Sequence, residues 1–150
     1  MPKYVSIIFL AALSSTALCG IAQQTTPQIK QVPIQQTSAV SGQEMYKSYC
    51  AVCHGVDGRG NGPAVPALKV PPTDLTTLSL RNGGTYPWAR VQATLTFGVG
   101  TTPAHGSAEM PIWGHLLPAL HPSSRDSAML TLQRIHNLSN YMKQIQRTAQ

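Results

Sequence analysis

The chain has 150 residues, three cysteines, five histidines and a formal net charge of +6, with 42% apolar residues. Its length suits one domain behind a leader. The Lys and Arg residues are scattered rather than gathered in a run, which argues against nucleic acid as a partner, and no segment stays apolar for the roughly 20 residues a membrane-spanning helix needs.

Residues 1–22 read as an export signal: Lys3, the apolar run VSIIFLAAL from Val5 to Leu13, then small residues and GIA before a cleavage point after Ala22. The mature chain is therefore expected in the periplasm. It would keep 128 residues, with ten Lys and Arg against five Asp and Glu, net +5. A competing reading makes Cys19, in STALCG, a lipid attachment point, although bulky Leu18 stands where a small residue is expected. Only in that case is a membrane surface a partner. Residues 23–40, rich in Gln, Thr and Pro, are expected to form a disordered leader.

At Ser41 the pattern changes. SGQE is a capping box, with Ser41 as N-cap and Glu44 three residues on, and predicts a helix to about Val52. Met45, Tyr46 and Tyr49 follow at helical spacing and are expected in the core. The end of this segment carries CAVCH, Cys50 to His54. At this composition roughly 0.002 matches to C-x-x-C-H are expected by chance. Side chains three and four apart share a helix face, so Cys50, Cys53 and His54 can present to one flat ligand. Two thiols that add to haem vinyl groups, beside an imidazole that reaches the iron, make up c-type haem attachment. Other readings explain less. A structural zinc site wants a second pair of ligands, and the other cysteine is Cys19. A thioredoxin-like pair wants a preceding strand, and a bare disulfide leaves His54 without a role.

Beyond the motif, GVDGRGNGP from Gly55 to Pro63 allows tight turns with positive φ. A short helix is predicted for PWARVQATLTFG, with Thr85 as cap, Pro87 in the first turn and Gly98 near the stop. Residues 63–83 and 99–123 hold no clear element, and loops that long are expected to wrap something. From Ser124, taken as N-cap, to Arg147, the residues Ala128, Leu132, Ile135, Leu138, Met142 and Ile145 recur at steps of three and four, the strongest helical signal in the chain. Gly42 would let this helix approach the first one closely near Tyr141.

The chain from about Ser41 to Gln146 resembles a single-haem, class I type bacterial cytochrome c. The resemblance is carried by CAVCHGVDGRGNGPAVPAL, PPTDL, AHGSAEMPIWG and the terminal RIHNLSNYMKQIQ. It departs around Trp88, in RNGGTYPWARV, a stretch found only in a subset of such proteins. The resemblance implies Met110 as sixth iron ligand. Pro111 agrees with this, since it turns Met110 out of helical geometry and lets the thioether project from a loop. His105, His115, His121 and His136 are rival ligands, whereas Met45, Met129 and Met142 fall on helical stripes. Trp113 is expected against the haem edge, or donating its indole N–H to a propionate, or simply packed. Pro63 or Pro66 would supply the carbonyl that fixes the His54 tautomer.

The expected fold is all-α: a cytochrome c fold of three to four helices, residues 41–148, with long loops wrapped around one covalently bound haem c. The expected function is one-electron transfer between periplasmic or membrane redox proteins, with no catalysis. A fixed subunit of a larger respiratory or dehydrogenase complex, and a haem enzyme or sensor with a labile sixth ligand, are the alternatives.

Overall fold

The computed structural model describes residues 32–98 and 110–148, and every regular element among them is helical. The expected signal segment, Cys19 and His105 lie outside the described residues. Helix α1 (Gly42–Met45) passes through a π-helical turn (Tyr46–Cys50) into α2 (Ala51–His54); α3 is Trp88–Phe97, α4 is Trp113–Leu116 and α5 is Ser127–Gln144.

The first helix starts where its cap predicts: Ser41 Oγ accepts the Glu44 N–H at 3.2 Å. It ends two residues later than expected, because Gly55 takes φ +78° and returns its N–H to Ala51 O, which keeps His54 in the last turn. Met45 and Tyr46 are fully buried and Tyr49 nearly so, as their spacing predicts. The Tyr46 hydroxyl donates to Gly55 O at 2.7 Å and ties the widened turn to the helix end.

Helix α5 packs across α1 at Gly42, where a Cβ would overlap the Asn137 carbonyl and lie 2.9 Å from Tyr141 Cβ. Gly42→Ala is therefore expected to destabilise the fold by about 1–3 kcal/mol through overpacking, although alanine is the better helix former. Thermal unfolding of the variant checks this, and an unchanged midpoint would contradict the close packing.

Two further boundaries differ from expectation. Ser124 is not the cap of α5. Its Oγ accepts the Asp126 N–H in a preceding turn, and the helix opens at Ser127. Pro87 sits at the N-cap of α3 rather than inside it, and Thr85 does not cap it. The expected stripe on α5 is also rotated. Ile135, Leu138 and Met142 are buried, but Leu132 and Met129 are 59% and 67% exposed. The buried face continues instead through Thr131, Arg134 and Ser139.

The reason for the rotation lies in residues 34–39, within the stretch expected to lack a fixed fold. Arg134, only 1% exposed, donates from Nη1 to Thr37 Oγ1 (3.0 Å) and from Nη2 to Thr37 O (2.7 Å), and Asn137 Nδ2 donates to Ala39 O. Gln36 Nε2 donates to Leu120 O, the Tyr49 hydroxyl donates to Gln35 O at 2.6 Å, and Ile34 packs on the core. Backbone carbonyls of this strap need donors, and α5 turns its polar side chains toward them.

The expected loops carry short elements of their own. Residues 63–83 form 3-10 turns at Val65–Ala67, Leu75–Thr77 and Leu80–Asn82, and α4 runs on into a further one at Leu117–Leu120.

Candidate cofactor site

A cavity of about 420 Å³ opens between the motif helix, residues 68–81, α3 and the segment after Met110. Cys50, Cys53 and His54 line one side; Met110 and Trp113 line it from the distal segment, and Val91 and Leu95 of α3 close it with apolar surface. Five side chains singled out in the sequence thus border one space. Trp113 is 6% exposed and stacks on Tyr49, ring centres 5.4 Å apart and planes at 25°, so its packing role is met within the cavity wall.

His54 is oriented by a single bond. Its Nδ1 lies 2.9 Å from Thr73 O, and a carbonyl only accepts, so Nδ1 carries the proton and Nε2 keeps its lone pair. Burial lowers the imidazole pKa, with the Thr73 bond pulling weakly the other way, so the ring is neutral. Pro63 is not the partner. Its segment folds back on the motif helix through Gly60 N–H to His54 O, Gly62 N–H to Cys53 O and Ala64 N–H to Val52 O. That leaves both Pro63 and Pro66 exposed, and it is the chain around Thr73 that passes the imidazole.

Burial, then the neighbouring Cys53, pushes the Cys50 thiol up to about 12, so it stays protonated in the folded chain. Met110 is half-buried against the core. The rival histidines stand elsewhere. His115 is exposed on α4 and borders neither hollow. His121 Nε2 accepts from Arg134 Nη2 at 3.1 Å, since a guanidinium only donates. His136 meets the edge of Trp88 beside a second hollow, about 510 Å³, between α3 and α5. That hollow is lined by Met129 and Leu132 and contains no cysteine. Met142 also borders the cofactor cavity, whereas Met45 lies wholly in the core. Among the described residues no three His, Cys, Asp or Glu side chains gather as a cage for a bare metal ion.

Two thiols, a neutral imidazole with a spare lone pair and a thioether around an apolar space are a donor set that fits haem. The sequence profile of the family described as cytochrome C oxidase, cbb3-type, subunit III matches residues 37–119, more than half of the chain. The chain belongs to this family and is a c-type cytochrome domain. Membership implies haem c and haem-based electron transfer. No curated protein matches the chain.

Two elements of this cytochrome domain were missed by sequence reasoning. Thr73 sits in PPTDL, and the findable signal was Asp74 two residues before Thr76. Asp74 Oδ1 accepts both the Thr76 N–H (2.8 Å) and the Thr76 hydroxyl (2.6 Å), which caps the turn that follows Thr73. The second is the anchor of that turn by Gln146 and Arg147. Burial raises the Asp74 pKa, but the two Thr76 bonds and the Arg147 and Arg81 charges outweigh it and hold the carboxyl below its ordinary range. A carboxylate depressed in the folded state stabilises above its unfolded pKa of about 3.9, and that contribution is lost as pH falls through the folded value. Asp74→Ala is thus expected to cost about 0.5–2 kcal/mol at pH 7, with the gap to wild type closing well below pH 4. A gap that stays constant between neutral and acid pH would refute this.

Proposed function

We propose that the chain is a periplasmic cytochrome c carrying one electron on one covalently attached haem, with His54 and Met110 as axial ligands. The observation that carries the reading is the convergence of Cys50, Cys53, His54 and Met110 on one apolar cavity. Bound haem supplies a one-electron iron couple. The protein's part is to hold and tune it. Cys50 and Cys53 would hold haem through thioethers, and His54 would offer it Nε2, its tautomer fixed by Thr73 O. Met110 offers soft sulfur, which favours the reduced iron. Val91, Leu95 and Trp113 keep water from the ring, so little solvent reorganises when charge changes. With His54 and Met110 both bound to the iron no position would be left for substrate, which suits a carrier rather than a catalyst. The exposed Arg81 and Arg90 at the cavity mouth, with a net positive chain, suit docking onto acidic redox partners.

The family match favours a second arrangement of the same chemistry, in which the domain is held in a respiratory complex instead of diffusing. Co-purification with oxidase subunits from native membranes separates the two.

Thioether formation takes place outside the cytoplasm. Expression with residues 1–22 intact should give a red protein whose pyridine haemochrome shows one haem per chain, and deletion of those residues should give colourless protein. Intact mass then decides the anchor: a start at Gln23 without acyl chains supports a free periplasmic protein, and an acylated start at Cys19 replaces it with a lipid-anchored one. A colourless full-length product would overturn the reading.

A further inference from the structure

The bond that orients His54 is held from the far end of the chain. Just past the end of α5, Gln146 reaches into the turn that follows Thr73. Its Nε2 donates to Leu75 O at 2.7 Å and its Oε1 accepts the Ser79 N–H at 2.9 Å. The same Nε2 donates to Met142 O at 2.7 Å, which fixes the amide on its own helix. The next residue adds two more ties: Arg147 N–H to Thr76 O at 2.8 Å, and Arg147 Nη2 to Asp74 Oδ2 at 3.3 Å. Residues 74–79 are thereby pinned to α5. On the other side the Leu75 N–H donates to Gly58 O at 2.7 Å, within the loop that leaves the motif. Thr73 sits immediately before this clamped turn.

We infer that Gln146, supported by Arg147, is a positioning residue for the haem-ligating imidazole: it sets the place of the Thr73 carbonyl and so the strength of the His54 Nδ1–H bond. The inference rests on the axial role of His54 proposed above. Asp74 shapes the turn after Thr73 locally, but it does not fix that turn against the rest of the fold; the ties to Gly58, Gln146 and Arg147 do. The clamp also comes from outside residues 37–119, which the family profile covers. A strong Nδ1–H bond to a carbonyl raises imidazole basicity and so stabilises oxidised iron. Loosening the clamp should therefore raise the reduction potential.

The test uses the haem-loaded protein with Gln146→Met, which removes all three side-chain amide bonds at nearly constant volume, and Gln146→Glu, which keeps an acceptor for Ser79 but loses the donor to Leu75 and Met142. Asn137→Ala, which removes a tie of α5 to a different segment, the bond to Ala39 O, controls for general destabilisation. In both Gln146 variants the His54 Nδ1 proton should exchange at least tenfold faster by NMR of the reduced state and the potential should rise, with neither change in Asn137→Ala. Unchanged exchange and potential in Gln146→Met, even with a lower melting temperature, would show a merely structural residue. Equal changes in the Asn137 control would overturn the inference as well. If the wild type holds no haem, the functional reading fails separately. Nitrogen-15 shifts of His54 then decide the clamp: an Nδ1–H tautomer that becomes mixed in Gln146→Met supports it, and an unaltered tautomer refutes it.

Discussion

Replacing both motif cysteines, Cys50→Ala with Cys53→Ala, is expected to yield a chain whose haem passes entirely into acidified organic solvent and whose helical circular dichroism is largely lost. The first result follows from the covalent attachment proposed above: without the two thiols, haem would be held only by ligands that acid protonates or displaces. The second follows from the place of the cavity in the core. Its walls include Leu95, Val91 and Trp113, all under 10% exposed, so without haem they face a hole of about 420 Å³. At about 24 cal/mol per Å³ such a hole would cost on the order of 10 kcal/mol. That is an upper figure, because water enters an open cavity, but it matches the whole stability of a typical domain, about 5–15 kcal/mol. Bound haem would thus contribute to folding through linkage as much as to redox chemistry. Haem that resists extraction in the double variant would refute covalent attachment. A well-folded, cooperative, haem-free chain would show that the core stands without it.

What the sequence disclosed, and what it hid, divides along a physical line. Side-chain chemistry at short range was legible. The Ser41 cap and the stop at Gly98 depend on contacts within one helix or turn, and the Met45, Tyr46 and Tyr49 stripe shows in residue spacing along one segment. The motif residues and Met110 carry side chains with few other uses in that pattern, and they border one cavity. Backbone partners were not legible. Every residue offers a carbonyl, so nothing in the residue types distinguishes Thr73 from Pro63 as the acceptor for His54. Only the path of the chain after the glycine loop decides it. Arg134 was hidden for a related reason. Periodicity weighs apolar residues, and a guanidinium becomes a core group only because Thr37, 97 residues away, brings it a hydroxyl and a carbonyl. The same contacts explain why a stretch rich in Gln, Thr and Pro is held in place from Ile34 onward. Its own composition cannot stabilise it, but donors on α5 and on the π-helical turn before α2, with the Leu120 carbonyl as acceptor for Gln36, can.

Met110→Ala carries the second large effect and bears on the carrier reading itself. Met110 borders the cavity, whereas His115, His121 and His136 are turned to solvent, to Arg134 and to Trp88. Among the described residues Met142 is the other thioether on the cavity, and it is held on the rigid face of α5 at 4% exposure. Met110 instead precedes Pro111, and the segment behind it is seated by Trp113 on Tyr49, so a loop residue is held at a defined distance from the opposite wall. Oxidised wild type should therefore show the weak far-red band of sulfur bound to ferric iron. In Met110→Ala that band should vanish, carbon monoxide should bind the reduced protein, and the potential should fall. Oxygen or nitrogen donors stabilise ferric iron better than sulfur, and axial ligands set haem potentials over a range of about 0.8 V, so a drop on the order of 0.1 V is expected. The sign is opposite to that expected for Gln146→Met, which makes the two sides of the haem separable by one titration. Wild-type protein that already binds carbon monoxide readily would favour the open-site enzyme or sensor. A spectrum and potential unaltered in Met110→Ala would move the sixth ligand to another residue, with His105, five residues before Met110, as the candidate.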